Sequence, residues 1–456
     1  QLSKATALGL RDGISLKQGG TMARRDCAAL FSNLMTAKTS GGQIYAETLG
    51  YTVTNGEVDY TALTLENLSG PYVAENSSTS LPFQPATVYR NGEISSSAVL
   101  NQYDVYYYDQ GSSTLWIYTN RVSGKITELS PDAASPTSVT VAGATYQIGS
   151  SSAAYQLSAL NGGKTGSVVT LLLGMDGSVV DVITGSDVES VYYGMVESSE
   201  KVVTEDGDAA VQTNVTVICT DGTAKTFTVD KAVDYKAGRL VTVKVSEGSV
   251  TIKALTEKHT SGKVDSAATK LGSLSFAEHI EILDTGDEGA ATSVDVSRLS
   301  GMSLDSDDVR YYGLDGDGRI EYLILDDVTG DLWTYAYLTD LEDQSQEMSI
   351  NVTYTYLVDG TEQTLRSASV KYPVETGGIA IAYKSDGSIQ TMQRMKSVKL
   401  TELSGSWAMA SNQRYAIADD VQVYLRKNGS YYLTALSAVN AEDYTLTGWY
   451  LSLIHI

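Results

Sequence analysis

The stretch Asn214-Val-Thr-Val-Ile-Cys-Thr-Asp221-Gly-Thr-Ala-Lys-Thr-Phe227 reads as strand, Asp-Gly turn, strand. Apolar and polar residues alternate on both sides of the turn, and β-branched residues dominate. It is echoed by Asn351-Val-Thr-Tyr-Thr-Tyr-Leu-Val-Asp359-Gly-Thr-Glu-Gln-Thr-Leu365. A second hairpin follows each. Gly238-Arg-Leu-Val-Thr-Val-Lys-Val-Ser-Glu-Gly248-Ser-Val250 matches Gly378-Ile-Ala-Ile-Ala-Tyr-Lys-Ser-Asp-Gly387-Ser-Ile389, and an earlier copy runs from Gly166 to Val179 around Asp176-Gly177. Upstream lies a Tyr-rich element: Asp104–Tyr108, Val191–Tyr193, Asp308–Tyr312 and Asp420–Tyr424. The recurring order implies divergent repeats. The predicted fold class is mainly β, with tandem antiparallel sandwich- or barrel-like modules behind a short helical segment.

The expected division is a helical part at 1–40, β modules at 41–185, 186–258 and 259–402, a truncated fourth at 403–450, and a tail at 451–456. Linkers are expected at Ser130–Pro136 and Lys258–Lys263. The tail Leu451-Ser-Leu-Ile-His-Ile456 back-translates in frame to a sequencing-adaptor sequence, so it is expected not to be native protein and the chain is read as a fragment.

Composition narrows the function. Among 456 residues, 32 basic side chains face 55 acidic ones, a formal charge of −23. That balance argues against nucleic acid, which selects clustered Lys and Arg, and against an anionic membrane surface. Apolar runs such as Val168–Leu173 are strand length, well short of the ~18 residues of a membrane span. Two cysteines, Cys27 and Cys219, exclude a disulfide scaffold or Cys-rich zinc site, and both read as packed thiols.

Motifs for chemistry are sparse. Gly162-Gly-Lys-Thr165 ends like a phosphate loop, but strand-like residues follow where a helix N-terminus is needed. Asp315-Gly-Asp317-Gly-Arg319-Ile320 fails as an EF-hand, because its first and twelfth positions would be Gly313 and Ile324. A looser calcium turn on Asp315 and Asp317, with Asp326 or Asp327 nearby, is the weak metal candidate. Otherwise no cofactor is expected. His259 and His279 lie outside metal-ligand spacing, and nothing resembles a nucleophile elbow. No catalytic residue is assigned.

The only convincing helical region is residues 1–36. Thr21 is the expected cap of a helix presenting Cys27, Leu30, Phe31 and Leu34 on one face, after a loop marked by Gly13 and Gly19-Gly20. The run Ala7-Leu-Gly-Leu10 … Gly13 … Met22-Ala-Arg24-Arg-Asp26-Cys-Ala-Ala-Leu30 … Asn33-Leu34 resembles the S-layer homology domain. Arg24 falls on that family's motif Arg and Asp26 on its acidic position, while Ala23 and Arg25 depart from the usual Thr and Ala. The match covers about 36 of the 456 residues.

The resemblance implies a secreted bacterial cell-surface protein of S-layer type. In that family three copies bind pyruvylated secondary cell-wall polysaccharide, an anionic glycan, and Arg24 would contribute a charge-assisted hydrogen bond. The partners implied are that polysaccharide and, in a surface array, further copies of the chain. The alternatives are a glycan-binding adhesin using tyrosines such as Tyr106–Tyr108, or the non-catalytic part of an anchored enzyme.

Overall fold

A computed structural model describes residues 2–14, 21–65, 68–77, 79–204, 210–418 and 421–451. Gly19-Gly20, Ser78, Asp420 and the tail after Leu451 lie outside the described residues. The chain is mainly β, as its alternation predicts, and divides into two compact units. The first is Gln1–Ser190 with Val245–Ser249; the second is Val191–Lys244 with Val250–Ile456.

The first unit opens with short helices, of which Arg24–Thr36 is the longest. Its N-cap is Ala23, not Thr21, and the Asp26 carboxylate accepts from the Ala23 N–H at 2.9 Å. A carboxylate reaching back from the first turn supplies the acceptor that alanine lacks. The predicted apolar face is only half realised. Cys27, Leu30 and Leu34 are partly covered, but Phe31 is 65% exposed.

A mixed sheet follows. The strands Val105–Asp109 and Thr114–Tyr118 form a hairpin, and the second runs parallel to Thr87–Arg90. Alternation sends Tyr106, Leu115 and Ile117 into one core with Val88 and Leu100. The second unit holds a counterpart: the hairpin Val309–Leu314 and Ile320–Asp326, whose second strand runs parallel to Leu274–Thr285. Asp104 and Asp308 open the two hairpins alike, accepting the N–H three residues back at 2.9 and 2.7 Å. Val191–Tyr193, by contrast, belongs to a strand of the next sheet (Glu189–Thr204) and not to a separate upstream hairpin.

Three five-stranded sheets carry the repeat. In the first, Arg121–Ser130 is central; Ser138–Val141 and Ala144–Gln147 lie to one side, Val168–Leu173 and Val179–Thr184 to the other. The order is thus third, second, first, fourth, fifth. Glu189–Cys219 onward and Thr334–Arg394 repeat it strand for strand. In the first sheet Ile148 bridges Val179 in parallel, bringing the exit of the third strand to the fifth, and the helix Ser151–Leu157 lies between the third and fourth strands. This is the connectivity of a five-stranded Greek-key barrel of the OB type. In the other two, loops replace the helix.

Finer features match as well. The first strand bulges at Thr127, Glu197 and Thr339, each directly after a buried apolar residue: Ile126, Val196 and Leu338. A bulge bends a strand, which lets it serve both halves of a closing sheet. Opposite each bulge, threonines face one another across the second and third strands: Thr140↔Thr145, Thr216↔Thr226 and Thr355↔Thr364. The segment Ser130–Pro136 joins the first two strands of the first sheet, so it is a loop inside a module and not a linker.

Burial has a titratable signature. It pushes the phenols of Tyr107 and Tyr337 up to about 12, and the Cys219 thiol likewise to about 12. An unfolded phenol ionises near ~10, so between pH ~10 and ~12 the unfolded chain binds fewer protons and stability falls as pH rises. Absorbance at 295 nm should therefore show a late fraction of phenolate appearing together with loss of β signal. Titration of every tyrosine near pH 10 in an intact fold would contradict this burial.

Candidate functional site

Arg24 is the first residue of the Arg24–Thr36 helix and is solvent-exposed. Nine residues on, two turns and a half along the helix, Asn33 donates from Nδ2 to the carbonyls of Leu10 (3.2 Å) and Asp12 (2.8 Å). One side chain thus pins the preceding Gly-containing turn to the helix. Both residues belong to the run that resembles the S-layer homology domain, and of the two only Asn33 makes side-chain hydrogen bonds among the described residues. Arg24 presents its guanidinium to solvent at the positive end of the helix, where an anion is favoured.

Asp315 and Asp317 lie in the second unit, in the turn between Val309–Leu314 and Ile320–Asp326. Their oxygens face Arg319. Asp315 Oδ2 accepts from Arg319 Nε at 2.8 Å, and Asp317 Oδ2 from its terminal nitrogen at 2.7 Å. Asp315 Oδ1 also accepts the N–H groups of Asp317 and Arg319. The Arg319 backbone N–H leads the interactions that hold the Asp315 carboxyl below its ordinary range. Asp327, the suggested neighbour, accepts instead from Trp333 Nε1 at 2.8 Å. The geometry is that of a turn closed by its own arginine. Calcium titration should accordingly leave the melting temperature unchanged, and a rise of several degrees at millimolar calcium would overturn that expectation.

A polar cleft of about 390 Å³ in the second unit includes Glu257, His259, Glu288, Asp307, Arg310 and Asp326 in its lining. Sequence reasoning missed it, because its residues come from five separated segments. Arg310 donates to Thr285 Oγ1 (3.1 Å) and the Gly238 carbonyl (3.3 Å), and stands 3.8 Å from Glu257. His259 holds Nδ1 on the carbonyls of Ser306 and Val309 at 3.0 and 2.8 Å, so Nδ1 carries the proton. The lining residues include no Ser, Thr or Cys to act as nucleophile, and the carboxylates outnumber the cations, so an anion would be repelled. His279 is exposed on the Leu274–Thr285 strand, away from this arrangement.

Other buried polar groups serve the fold. Asp284 is fully buried and accepts from Val328 N, Thr329 N and Thr329 Oγ1 at 3.1, 2.7 and 2.7 Å. Lys225, on the quoted hairpin, pairs with Asp221 at 2.6 Å, while Thr220 Oγ1 donates to Glu281 at 2.5 Å. Burial raises the Glu281 carboxyl, and the Thr220 hydroxyl opposes that rise. Cys219 is buried, consistent with a packed thiol. Of the predicted tyrosine cluster, Tyr106 and Tyr107 are buried and Tyr108 is half-buried.

Among the described residues, no group of three or more His, Cys, Asp or Glu side chains is placed to hold a metal ion. No described helix is long and apolar enough to cross a membrane. No protein-family model matches the chain, and neither a curated protein nor a solved structure is significantly similar to it.

Proposed function

We propose that this chain is a non-catalytic scaffold of a bacterial cell surface, held to anionic secondary cell-wall polysaccharide through its helical start and displaying β modules in series. The observation that carries the reading is the threefold sheet with one strand order, one bulge position and one threonine pair. Serial copies of a single module extend a protein, whereas catalysis would single one copy out. The polar groups most suggestive of chemistry, Asp284, Asp315 and Asp317, are consumed by hydrogen bonds within the fold.

Anchoring rests on the S-layer homology resemblance and on the exposure of Arg24. Its test is binding of the chain to immobilised, pyruvylated wall polysaccharide. We expect weak saturable binding that Arg24→Ala reduces about tenfold, the worth of one charge-assisted hydrogen bond. Arg25→Ala, on an exposed neighbour, should change it far less. Absence of binding, or equal loss in both variants, would count against the anchor.

A further inference from the structure

The turn between the fourth and fifth strands has the same internal geometry in the first and third repeats. In the first, Gly174-Met-Asp-Gly-Ser178 closes with Gly174 N–H to the Ser178 carbonyl (2.9 Å) and Gly177 N–H to the Gly174 carbonyl (3.0 Å). In the third, Lys384-Ser-Asp-Gly-Ser388 closes with the same two bonds at 2.7 and 2.9 Å. Asp176 and Asp386 both accept the N–H of the serine two residues on, at 3.0 and 2.8 Å. In each turn the backbone N–H of the residue before the aspartate takes no part in these bonds.

That N–H finds a side-chain acceptor on a preceding sheet both times. Met175 N donates to the Tyr107 hydroxyl at 3.2 Å, within the first unit. Ser385 N donates to Glu197 Oε1 at 2.8 Å, and Ser385 Oγ to Glu197 Oε2 at 2.8 Å, within the second. Both acceptors are buried: Tyr107 is 2% exposed and Glu197 7%. Glu197 also stands out against its own repeat. It occupies the bulge position where the other copies have Thr127 and Thr339, whose hydroxyls bond back to the carbonyls of Thr140 (3.2 Å) and Thr355 (3.0 Å). The bulge thus tolerates threonine, and glutamate there reaches outward instead.

We propose that the Asp-Gly-Ser turn is a docking key by which one sheet seats on an earlier one, and that its side-chain acceptor, Tyr107 or Glu197, is the specificity-determining lock. Serial modules of one fold need such pairings to keep each turn on its own partner, because the strands alone present near-identical turns. A carboxylate and a phenol present different acceptor patterns: Glu197 takes two donors from Ser385, and Tyr107 one from Met175.

The test is hydrogen exchange on the full chain, read in peptides covering 174–178 and 384–388. Glu197→Thr, which installs the residue of the other repeats, should speed exchange at 384–388 at least tenfold and leave 174–178 unchanged. Tyr107→Phe, nearly isosteric, should do the reverse. Glu197→Gln keeps one acceptor oxygen and should fall between wild type and Glu197→Thr. Exchange at the matching turn that stays at wild-type rate in either variant would overturn the proposal. So would an increase shared equally with the core strand Val352–Val358, which would mark general destabilisation.

Discussion

Replacing Asp284 by alanine is expected to lower the unfolding free energy of the second unit by about 3–5 kcal/mol. The carboxylate is fully buried and accepts three hydrogen bonds from Val328 and Thr329. Alanine removes these charge-assisted bonds, each worth ~1.5–3 kcal/mol, and strands two backbone N–H groups where water has little access. The segment held is the one that leads from Ile320–Asp326 toward the next module, so its loss also frees the connection. Asp284→Asn keeps an acceptor and should cost about 1–2 kcal/mol. Urea unfolding followed by circular dichroism measures both; a change below ~1 kcal/mol for the alanine variant would show that the site is wet.

The second large effect is expected at Leu338. It is fully buried beside the Thr339 bulge and packs with Tyr354, Ile379, Ile381 and Met392. Leu338→Ala should cost about 2–5 kcal/mol, from lost transfer energy and the cavity left behind. Ile126 and Val196 hold the same place in the other two repeats and are equally buried. Ile126→Ala should therefore cost a similar amount, and Val196→Ala less, in proportion to the smaller volume removed. An effect under ~1 kcal/mol at Leu338 or Ile126 would break the equivalence of the three positions.

Particular residues show how far the sequence could be read. Asp359-Gly360 was legible because both residues take positive φ, 48° and 76°, as a two-residue hairpin turn requires. The first repeat makes the same turn with Ala142-Gly143, at 52° and 84°, and was missed because alanine does not advertise that conformation. The helix Ser151–Leu157 was also missed. Its signals are local but faint: Ser150 accepts from Ala153 N at 3.0 Å, and Ala153 and Leu157 share a buried face. The order of strands was beyond reach, since pairing the first strand with the fourth is a non-local contact that no hairpin pattern encodes.

The candidate sites divide in the same way. Asp315, Asp317 and Arg319 could be listed from spacing, yet only geometry shows the arginine claiming both carboxylates. Helical periodicity puts Phe31 on one face with Cys27, Leu30 and Leu34, yet the described residues leave it 65% exposed. Glu197 carries no motif at all. Its role appears only when the three bulges are laid side by side.

The central claim, that one sheet is built three times in one register, is tested most directly by cysteine pairs. Thr140/Thr145, Thr216/Thr226 and Thr355/Thr364 are each directly opposed across the second and third strands. Directly opposed residues hold their Cβ atoms ~4.5–5.5 Å apart, near enough for a disulfide to close with little adjustment. With Cys27 replaced by serine, mild oxidation of each double-cysteine variant should form the bond in all three repeats. The offset pairs Thr140/Tyr146, Thr216/Phe227 and Thr355/Leu365 should stay reduced, because a one-residue shift turns the side chains to opposite faces. Closure of an offset pair, or failure of any one opposed pair, would contradict the shared register.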